Sequence, residues 1–260
     1  MAGQLSQYSL RPVAFWLSFE DPSRLEASIG VLSLELVVKA QASKKNWGDR
    51  QAREYMVKTQ LRDRGIRDPR VLDAFLRIPR HRFVSQQYQG EAYADHPLPI
   101  GCEQTISQPY IVALMVAGLG LNSGSRVLEI GTGCGYQSAI LAEVADKVYT
   151  IEIVPKLAAQ ARKLLESLGY SSIHFRTGDG SLGWPEQGPF DGIVVSAAPN
   201  RVPDTLLEQL DRDGSCVIPV GENHQVLQRL RWSREGWKAE SMGAVRFVPM
   251  TGPWRGIKGK

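Results

Sequence analysis

The chain has 260 residues, of which 43% are hydrophobic and 22% are charged, so it can bury one sizeable core. Its formal charge of +4 is the small difference between 31 basic and 27 acidic residues, which permits a nucleic-acid partner without requiring one. Three widely spaced cysteines form no CxxC pair and have no histidine at metal-ligand spacing; they are Cys102, Cys134 and Cys216. This pattern argues against a disulfide framework and against a zinc site.

Residues 1–52 form an N-terminal extension whose order and function the sequence does not define. Its most apolar window, residues 29–38, is interrupted by Glu35 and is far too short to span a bilayer. No cluster of Lys or Arg precedes an apolar stretch, so we expect a cytoplasmic protein without a membrane segment. A short helix over residues 25–39 is the simplest structural prediction here.

The segment before the central domain is predicted to be helical wherever apolar residues recur at helical spacing. The predicted helices are residues 53–61, 69–78 and 110–119. Asp68 is the expected N-cap of the second helix, with Pro69 at its first position. Residues 95–109 are rich in Pro and Gly and are expected to form a loop before the third helix.

After Gly124 the pattern changes to strands that alternate with helices. The predicted strands are residues 126–130, 147–153, 173–176, 191–197, 215–220, 226–232 and 244–249. The predicted helices are residues 136–145, 155–168 and 204–210. This alternation indicates a doubly wound α/β domain with a mostly parallel seven-stranded sheet, over residues 53–252, with residues 253–260 as a tail.

The last two predicted strands are separated only by residues 233–243, which are too few for a helical crossover. We therefore expect an antiparallel hairpin at the C-terminal end of the sheet. A parallel sheet finished in this way resembles the class I methyltransferases.

Three glycines lie between the first predicted strand of this domain and the helix that follows it: Gly131, Gly133 and Gly135. Glycines there let the backbone turn sharply and let a ligand approach main-chain N–H groups. The spacing is GxGxG, whereas dinucleotide-binding loops have GxGxxG. S-adenosylmethionine has no pyrophosphate, so the spacing favours it, although the glycine loop alone leaves an NAD-dependent enzyme as an alternative.

Two acids follow the next two strands. Glu152 ends the second strand, roughly 20 residues after the loop, where an acid in this architecture accepts hydrogen bonds from the ribose hydroxyls. Asp179 follows the third strand, where such folds contact the adenine amino group. A solvated acid at a strand end and a turn former beside glycines are the respective structural alternatives.

Residues 95–110, DHPLPIGCEQTISQPY, resemble the hallmark loop of the protein-L-isoaspartate O-methyltransferases. Further segments resemble this family in chain order: RVLEIGTG at 126–133, GDG at 178–180, PFDGIVV at 189–195, AAP at 197–199, IPVG at 218–221 and VRFVPMTG at 245–252. The resemblance covers residues 57–252. Two departures are Cys134, where the family usually has Ser or another small residue, and the first 55 residues, which have no counterpart in the family core.

The resemblance implies methyl transfer from S-adenosyl-L-methionine to the free α-carboxylate of L-isoaspartyl residues in damaged proteins, with S-adenosyl-L-homocysteine as product. The implied cofactor contacts are Glu129, Gly131, Thr132, Gly133, Glu152, Asp179, Gly180, Ile106 and Thr251. The implied peptide contacts are Thr105, Ile106 and Gln108. We expect a monomer that uses no metal and binds neither nucleic acid nor membrane.

Ser107 is the residue expected to hold the accepting carboxylate. This carboxylate is ionised at neutral pH, so no strong base is needed. A hydroxyl can orient it through a hydrogen bond, whereas a Lys or Arg would make the oxygen a poorer nucleophile. The structural alternative is a Ser N-cap for the following helix, worth about 1 kcal/mol.

Two other functional classes stay open on sequence alone. A class I methyltransferase acting on RNA is suggested by the basic charge and by the arginines of residues 62–82, although their spacing is typical of a solvated helix face. A scaffold that binds the cofactor without catalysis is the third hypothesis, and the intact segment 104–109 argues against it.

Overall fold

The computed structural model describes residues 48–252, so the helix predicted over residues 25–39 lies outside the described residues. The first described helix, α1 (Asp49–Met56), continues as a π-helical turn over Val57–Arg62. Helix α2 (Pro69–Arg77) begins as predicted, because a side-chain oxygen of Asp68 accepts the backbone N–H of Arg70 over 2.9 Å.

The segment predicted to be a loop contains a small antiparallel hairpin, in which β1 (Leu98–Gly101) pairs with β2 (Gln104–Ile106). Its turn residues, Cys102 and Glu103, have φ values of 52° and 59°. Non-glycine residues rarely adopt such values, and neither residue belongs to the Asn-Gly type of pair that predicts a tight hairpin turn. Helix α3 (Pro109–Leu119) follows β2 closely.

The central sheet has seven strands in the order β5-β4-β3-β6-β7-β8-β9. Its strands are β3 (Arg126–Ile130), β4 (Lys147–Glu152), β5 (Ile173–Thr177), β6 (Phe190–Val195), β7 (Leu210–Val220), β8 (Gln225–Ser233) and β9 (Gly236–Val245). The connecting helices are α4 (Tyr136–Val144), α5 (Pro155–Ser167) and α6 (Asp204–Leu207). Strands β3 to β7 pair in parallel and β7 to β9 pair antiparallel, which confirms the predicted architecture.

The predicted position of the last strand was wrong. Strand β9 occupies Gly236–Val245 and turns directly out of β8, with Ser233 paired to Gly236, whereas the prediction was residues 244–249. This edge strand is mostly exposed and carries Lys238 and Glu240, so it lacks the apolar run that predicts a strand. Strand β7 likewise starts at Leu210, five residues before its predicted start at 215, and α6 is correspondingly shorter.

The sheet is covered on both faces. Adjacent residues of β3 enter separate hydrophobic clusters, Val127 with the N-terminal helices and Leu128 on the opposite face. Cys216 is a fully buried core residue of the second cluster, and burial raises the pKa of its thiol to about 12. Among residues 48–252, no helix is long and apolar enough to cross a membrane.

Candidate active site

A cavity of ≈ 540 Å³ opens at the C-terminal ends of the parallel strands. Its wall is formed by residues 104–108, 130–134, 151–154, 196–197 and 244–251, together with a few neighbouring side chains. The cavity lies beside β3, from which the chain order runs outward in both directions, to β4 and to β6. Such a switch point is where open α/β sheets bind ligands, and the volume suits a small-molecule site.

The glycine loop lines the cavity between β3 and α4. Gly131, Gly133 and Gly135 have φ values of 95°, 55° and 87°, which side chains other than glycine rarely tolerate. A Cβ added to Gly135 would lie 2.8 Å from Cδ1 of Leu165, so this glycine also lets α5 pack against the loop. At Gly131 and Gly133 the loop therefore presents bare backbone to the cavity, while Thr132 and Cys134 of the same loop also line it.

Glu152 lies at the end of β4 and is 5% exposed. Its Oε2 accepts the backbone N–H of Gly133 over 2.8 Å, and its Oε1 accepts that of Val154 over 2.9 Å. A carboxylate has about four acceptor positions, so each oxygen can accept a further hydrogen bond. Glu152 also lines the cavity, where a vicinal diol can use both free positions.

Glu129 lies beneath the loop and does not line the cavity. It is fully buried, and its carboxyl group accepts hydrogen bonds from Ser138, Thr150 and Gln137. Burial raises its pKa to about 7, although these three hydrogen bonds oppose the increase. Thr132, which does line the cavity, is tied to the same network because its Oγ1 lies 2.6 Å from Oγ1 of Thr150.

Asp179 is also absent from the cavity wall, while its neighbour Gly180 lines it. The Oδ1 atom of Asp179 accepts the backbone N–H and the hydroxyl of Ser181, at 2.9 and 2.8 Å, so the side chain caps the short turn Gly180–Leu182. A Cβ on Gly180 would lie 2.3 Å from Cγ2 of Ile130, which leaves no room for a side chain.

The opposite wall is formed by the residues after the β1–β2 hairpin. Thr105, Ile106, Ser107 and Gln108 all line the cavity. The Ser107 hydroxyl has no hydrogen-bond partner among the described residues, whereas its carbonyl accepts a 2.9 Å hydrogen bond from Nη2 of Arg80. The amide of Gln108 donates to Asp95, at 2.8 Å to Oδ1 and 3.1 Å to the carbonyl.

The N-cap alternative for Ser107 was wrong. Gln108 occupies the N-cap position of α3, and the helix start has no side-chain cap hydrogen bond. Pro109 at the first helical position lacks an N–H, which reduces the need for a cap. The Ser107 hydroxyl is therefore free for a ligand.

The segment after β9 closes the cavity. The backbone N–H of Ala198 donates to the carbonyl of Val248 over 2.8 Å, and that of Met250 donates to the carbonyl of Ala198 over 2.9 Å. These bonds hold Thr251 on the cavity wall, beyond the end of β6. Among the described wall residues, the charged side chains are those of Glu152 and Arg246.

Ser196 and Gln137 were missed by the sequence analysis although both line the cavity. The Gln137 amide donates to the Ser196 hydroxyl over 2.9 Å, which joins α4 to the end of β6. Ser196 directly follows β6, so the rule that ligands bind beyond the carboxyl ends of parallel strands was a signal for it. Among the described residues, no group of three or more His, Cys, Asp and Glu side chains could hold a metal ion.

The parallel sheet with its C-terminal hairpin, and a glycine-loop cavity beside its first strand, define a class I methyltransferase. Residues 51–254 match the family model described as protein-L-isoaspartate(D-aspartate) O-methyltransferase (PCMT). The chain therefore belongs to the protein-L-isoaspartate(D-aspartate) O-methyltransferase family.

Individual relatives agree with this assignment. A protein-L-isoaspartate O-methyltransferase from Picosynechococcus sp. is 54% identical over 200 residues, which are 77% of this chain and 90% of the relative. Protein-L-isoaspartate O-methyltransferase 1 from Syntrophobacter fumaroxidans is 50% identical over 204 residues, or 78% and 95% of the two chains.

Solved structures agree as well. A protein-L-isoaspartate O-methyltransferase structure superposes with a TM-score of 0.71 at 31% identity, covering 77% of this chain and 66% of that one. A Plasmodium falciparum structure, in complex with S-adenosyl-L-homocysteine, has a TM-score of 0.65 at 23% identity and shares the fold, covering 76% of this chain and 98% of that one.

Proposed function

We infer that the protein transfers a methyl group from S-adenosyl-L-methionine to the free α-carboxylate of L-isoaspartyl residues in damaged proteins and peptides. The resulting ester initiates repair through a succinimide. One observation carries the inference beyond the family assignment: a single cavity brings the free hydroxyl of Ser107 together with the glycine loop and Glu152. The methyl donor and the acceptor can therefore meet in one cavity.

The described residues fit the cofactor. The bare backbone at Gly131 and Gly133 accommodates a ligand that packs closely, and Glu152 retains acceptor positions for the ribose diol. Thr132, Gly180, Ile106 and Thr251 are proposed to complete the contacts from the wall. Glu129 and Asp179 are proposed to act indirectly, by holding the loop and the Gly180 turn.

When bound, S-adenosyl-L-methionine supplies an electrophilic methyl group on a sulfonium cation. The accepting carboxylate titrates near roughly pH 3 to 4, so it is ionised without a general base. The reaction brings opposite charges together and cancels both, so a cavity that excludes water favours it. The contribution of the protein is then mainly to place the two groups in line.

Ser107 is proposed to donate its free hydroxyl to the accepting carboxylate, because it lines the cavity and has no described partner. Thr105 and Ile106 are proposed to contact the peptide beside it. The Gln108 side chain is already used by Asp95, so Gln108 is proposed to contribute through its backbone.

The test uses two peptides that differ only in Asp or L-isoAsp at one position and a labelled methyl donor. We expect label on the isoaspartyl peptide alone, as a base-labile ester. Comparable labelling of both peptides would contradict the proposed specificity. Adding methyl-accepting RNA in competition checks the alternative class, since no inhibition is expected.

The assembly and the cellular location are proposals as well. The monomeric state expected from the sequence stays a prediction. Light scattering coupled to gel filtration tests this, because a mass of about twice 28.8 kDa would contradict it. The cytoplasmic location expected from the sequence stays a prediction, which cell fractionation can check.

A further inference from the structure

Arg80 is a buried cation behind the candidate active site. It lies in the turn Arg80–Phe83 and is 0% exposed, although its neighbour Arg82 in the same turn is exposed. Its Nε donates to the carbonyl of Ala92 over 2.8 Å, and its Nη2 donates to the carbonyl of Ser107 over 2.9 Å. One side chain thus fixes the residue proposed to hold the substrate.

The charge of Arg80 is not balanced by an acid. Within the described part of the chain, Arg80 forms no ion pair, and its Nη1 is buried without a hydrogen-bond partner. Besides the two carbonyl oxygens, the ring of Tyr136 compensates the charge, since its centroid lies 4.9 Å from Cζ. Burial lowers the pKa of Arg80, yet a guanidinium stays protonated in proteins.

Burying a cation without a carboxylate is costly, so a purely structural role is better served by an apolar side chain. Ser107 and Tyr136 both line the cavity, and Arg80 contacts both from behind. Because Arg80 is buried, its field towards the cavity is screened less by water and salt than that of an exposed arginine. The substrate brings an anion to this place.

We propose that Arg80 is a positioning residue for the substrate α-carboxylate. Its fork holds the Ser107 carbonyl so that the hydroxyl faces the cavity, and its charge favours an anionic branch there over a neutral one. Because the cation stays behind the wall, it attracts the carboxylate without binding the reacting oxygen, which keeps that oxygen nucleophilic. This inference rests on the proposed function of the cavity.

The test compares two isoaspartyl peptides that differ only in the branch, an α-carboxylate or a neutral α-carboxamide. Their affinities for the protein saturated with S-adenosyl-L-homocysteine are measured by calorimetry. We expect the native preference for the carboxylate to fall at least about tenfold in Arg80→Gln. Arg82→Gln, which removes an exposed arginine from the same turn, is the matched control and should keep the preference.

Arg80→Lys separates the two roles, because it keeps the charge but cannot bridge two carbonyls with a planar fork. We expect this variant to keep the carboxylate preference while kcat for the isoaspartyl peptide falls. An unchanged preference in Arg80→Gln, or an equal loss in Arg82→Gln, overturns the proposal.

If Arg80→Gln does not fold, the test rests on Arg80→Lys. A native kcat in Arg80→Lys, or loss of its preference for the carboxylate peptide, then overturns the proposal. If neither variant folds, Arg80 is a structural residue and the proposal fails. Failure of the proposed function is distinct, since the native protein would then not methylate the carboxylate peptide at all.

Discussion

The backbone N–H of Gly133 donates a hydrogen bond of 2.8 Å to Oε2 of Glu152. The glycine loop after β3 is therefore held by the same carboxylate that is proposed to bind the ribose diol. The other carboxylate oxygen accepts the N–H of Val154, the residue that precedes α5. Shaping the loop and binding the cofactor are thus coupled in one side chain.

This coupling predicts the effect of Glu152→Gln. The amide keeps the length of the side chain but loses the charge and one acceptor oxygen, and a hydrogen bond to a charged acceptor contributes about 1.5 to 3 kcal/mol. We expect the dissociation constant for S-adenosyl-L-methionine to rise about 10- to 100-fold in calorimetry. Glu152→Ala should weaken binding further and lower the melting temperature, because it also frees two backbone N–H groups.

Glu166→Gln is a matched control, since Glu166 is exposed on α5. It removes the same charge and should leave the affinity unchanged. Native affinity in Glu152→Gln would show that the acid at the end of β4 does not bind the cofactor.

The buried carboxyl of Glu129 predicts a pH dependence of stability. Its pKa is raised from 4.5 to about 7, so between these pH values the folded protein keeps a proton that the unfolded chain releases. The contribution of Glu129 to the free energy of unfolding is therefore largest below about pH 4.5 and decreases as the pH rises towards 7. The total loss is on the order of 2–4 kcal/mol.

Glu129→Gln provides the comparison, because its amide oxygen can accept from Gln137 and its NH2 can donate to the hydroxyls of Ser138 and Thr150. We expect urea unfolding at pH 5, 6, 7 and 8 to show the variant gaining stability relative to the native protein as the pH increases. Parallel profiles would mean that Glu129 is ionised throughout in the folded state.

Truncation tests the proposed domain boundary near residue 52. The family match begins at residue 51, whereas the first buried apolar residues in the described part of the chain are Met56 and Val57, which are 0% and 2% exposed. We expect deletion of residues 1–47 to leave the melting temperature and methylation nearly unchanged. Deletion of residues 1–58 should destabilise the protein by several kcal/mol, because it removes two buried side chains. Loss of activity in the shorter deletion would place part of the extension in the enzyme.

The sequence predicts those parts of the fold whose causes are local. Strand β3 was predicted with its observed bounds, since a short apolar run before a glycine loop has few alternatives. Strand β9 was misplaced because its pairing with β8 and the tight turn at Gly236 define it, and most of its residues are exposed. An edge strand is specified by its partner and shows little hydrophobic pattern of its own.

Arg80 shows a second limit of sequence reasoning. Its arginine-rich surroundings, residues 62–82, have the spacing of a solvated face, and Arg77 and Arg82 are indeed exposed. Arg80 is buried because its partners, Ala92 and Ser107, lie 12 and 27 residues further along the chain. Periodicity within one helix cannot detect such contacts. The role of Asp179 cannot be read from its residue type either, since a carboxylate can cap a turn or contact a ligand.

Ser107 provides the last prediction. Its hydroxyl neither caps α3 nor bonds to a described residue, so Ser107→Ala should change the free energy of unfolding by no more than about 0.5 kcal/mol. If the hydroxyl donates to the accepting carboxylate, its loss should lower kcat for the isoaspartyl peptide about 10- to 100-fold. Affinity for S-adenosyl-L-methionine should change little, because the side chain is proposed to face the peptide.

Ser107→Thr keeps the hydroxyl but adds a methyl group to a cavity wall, so partial activity is expected. Ser171→Ala, at an exposed position beyond α5, is the control for removing a hydroxyl elsewhere. Melting temperature, cofactor affinity and methylation are measured on the same four proteins, the native chain included. A full native rate in Ser107→Ala at saturating peptide would remove the hydroxyl from the mechanism. The backbone of residues 105–108 would then have to orient the carboxylate. Arg80 holds this backbone through its hydrogen bond to the Ser107 carbonyl.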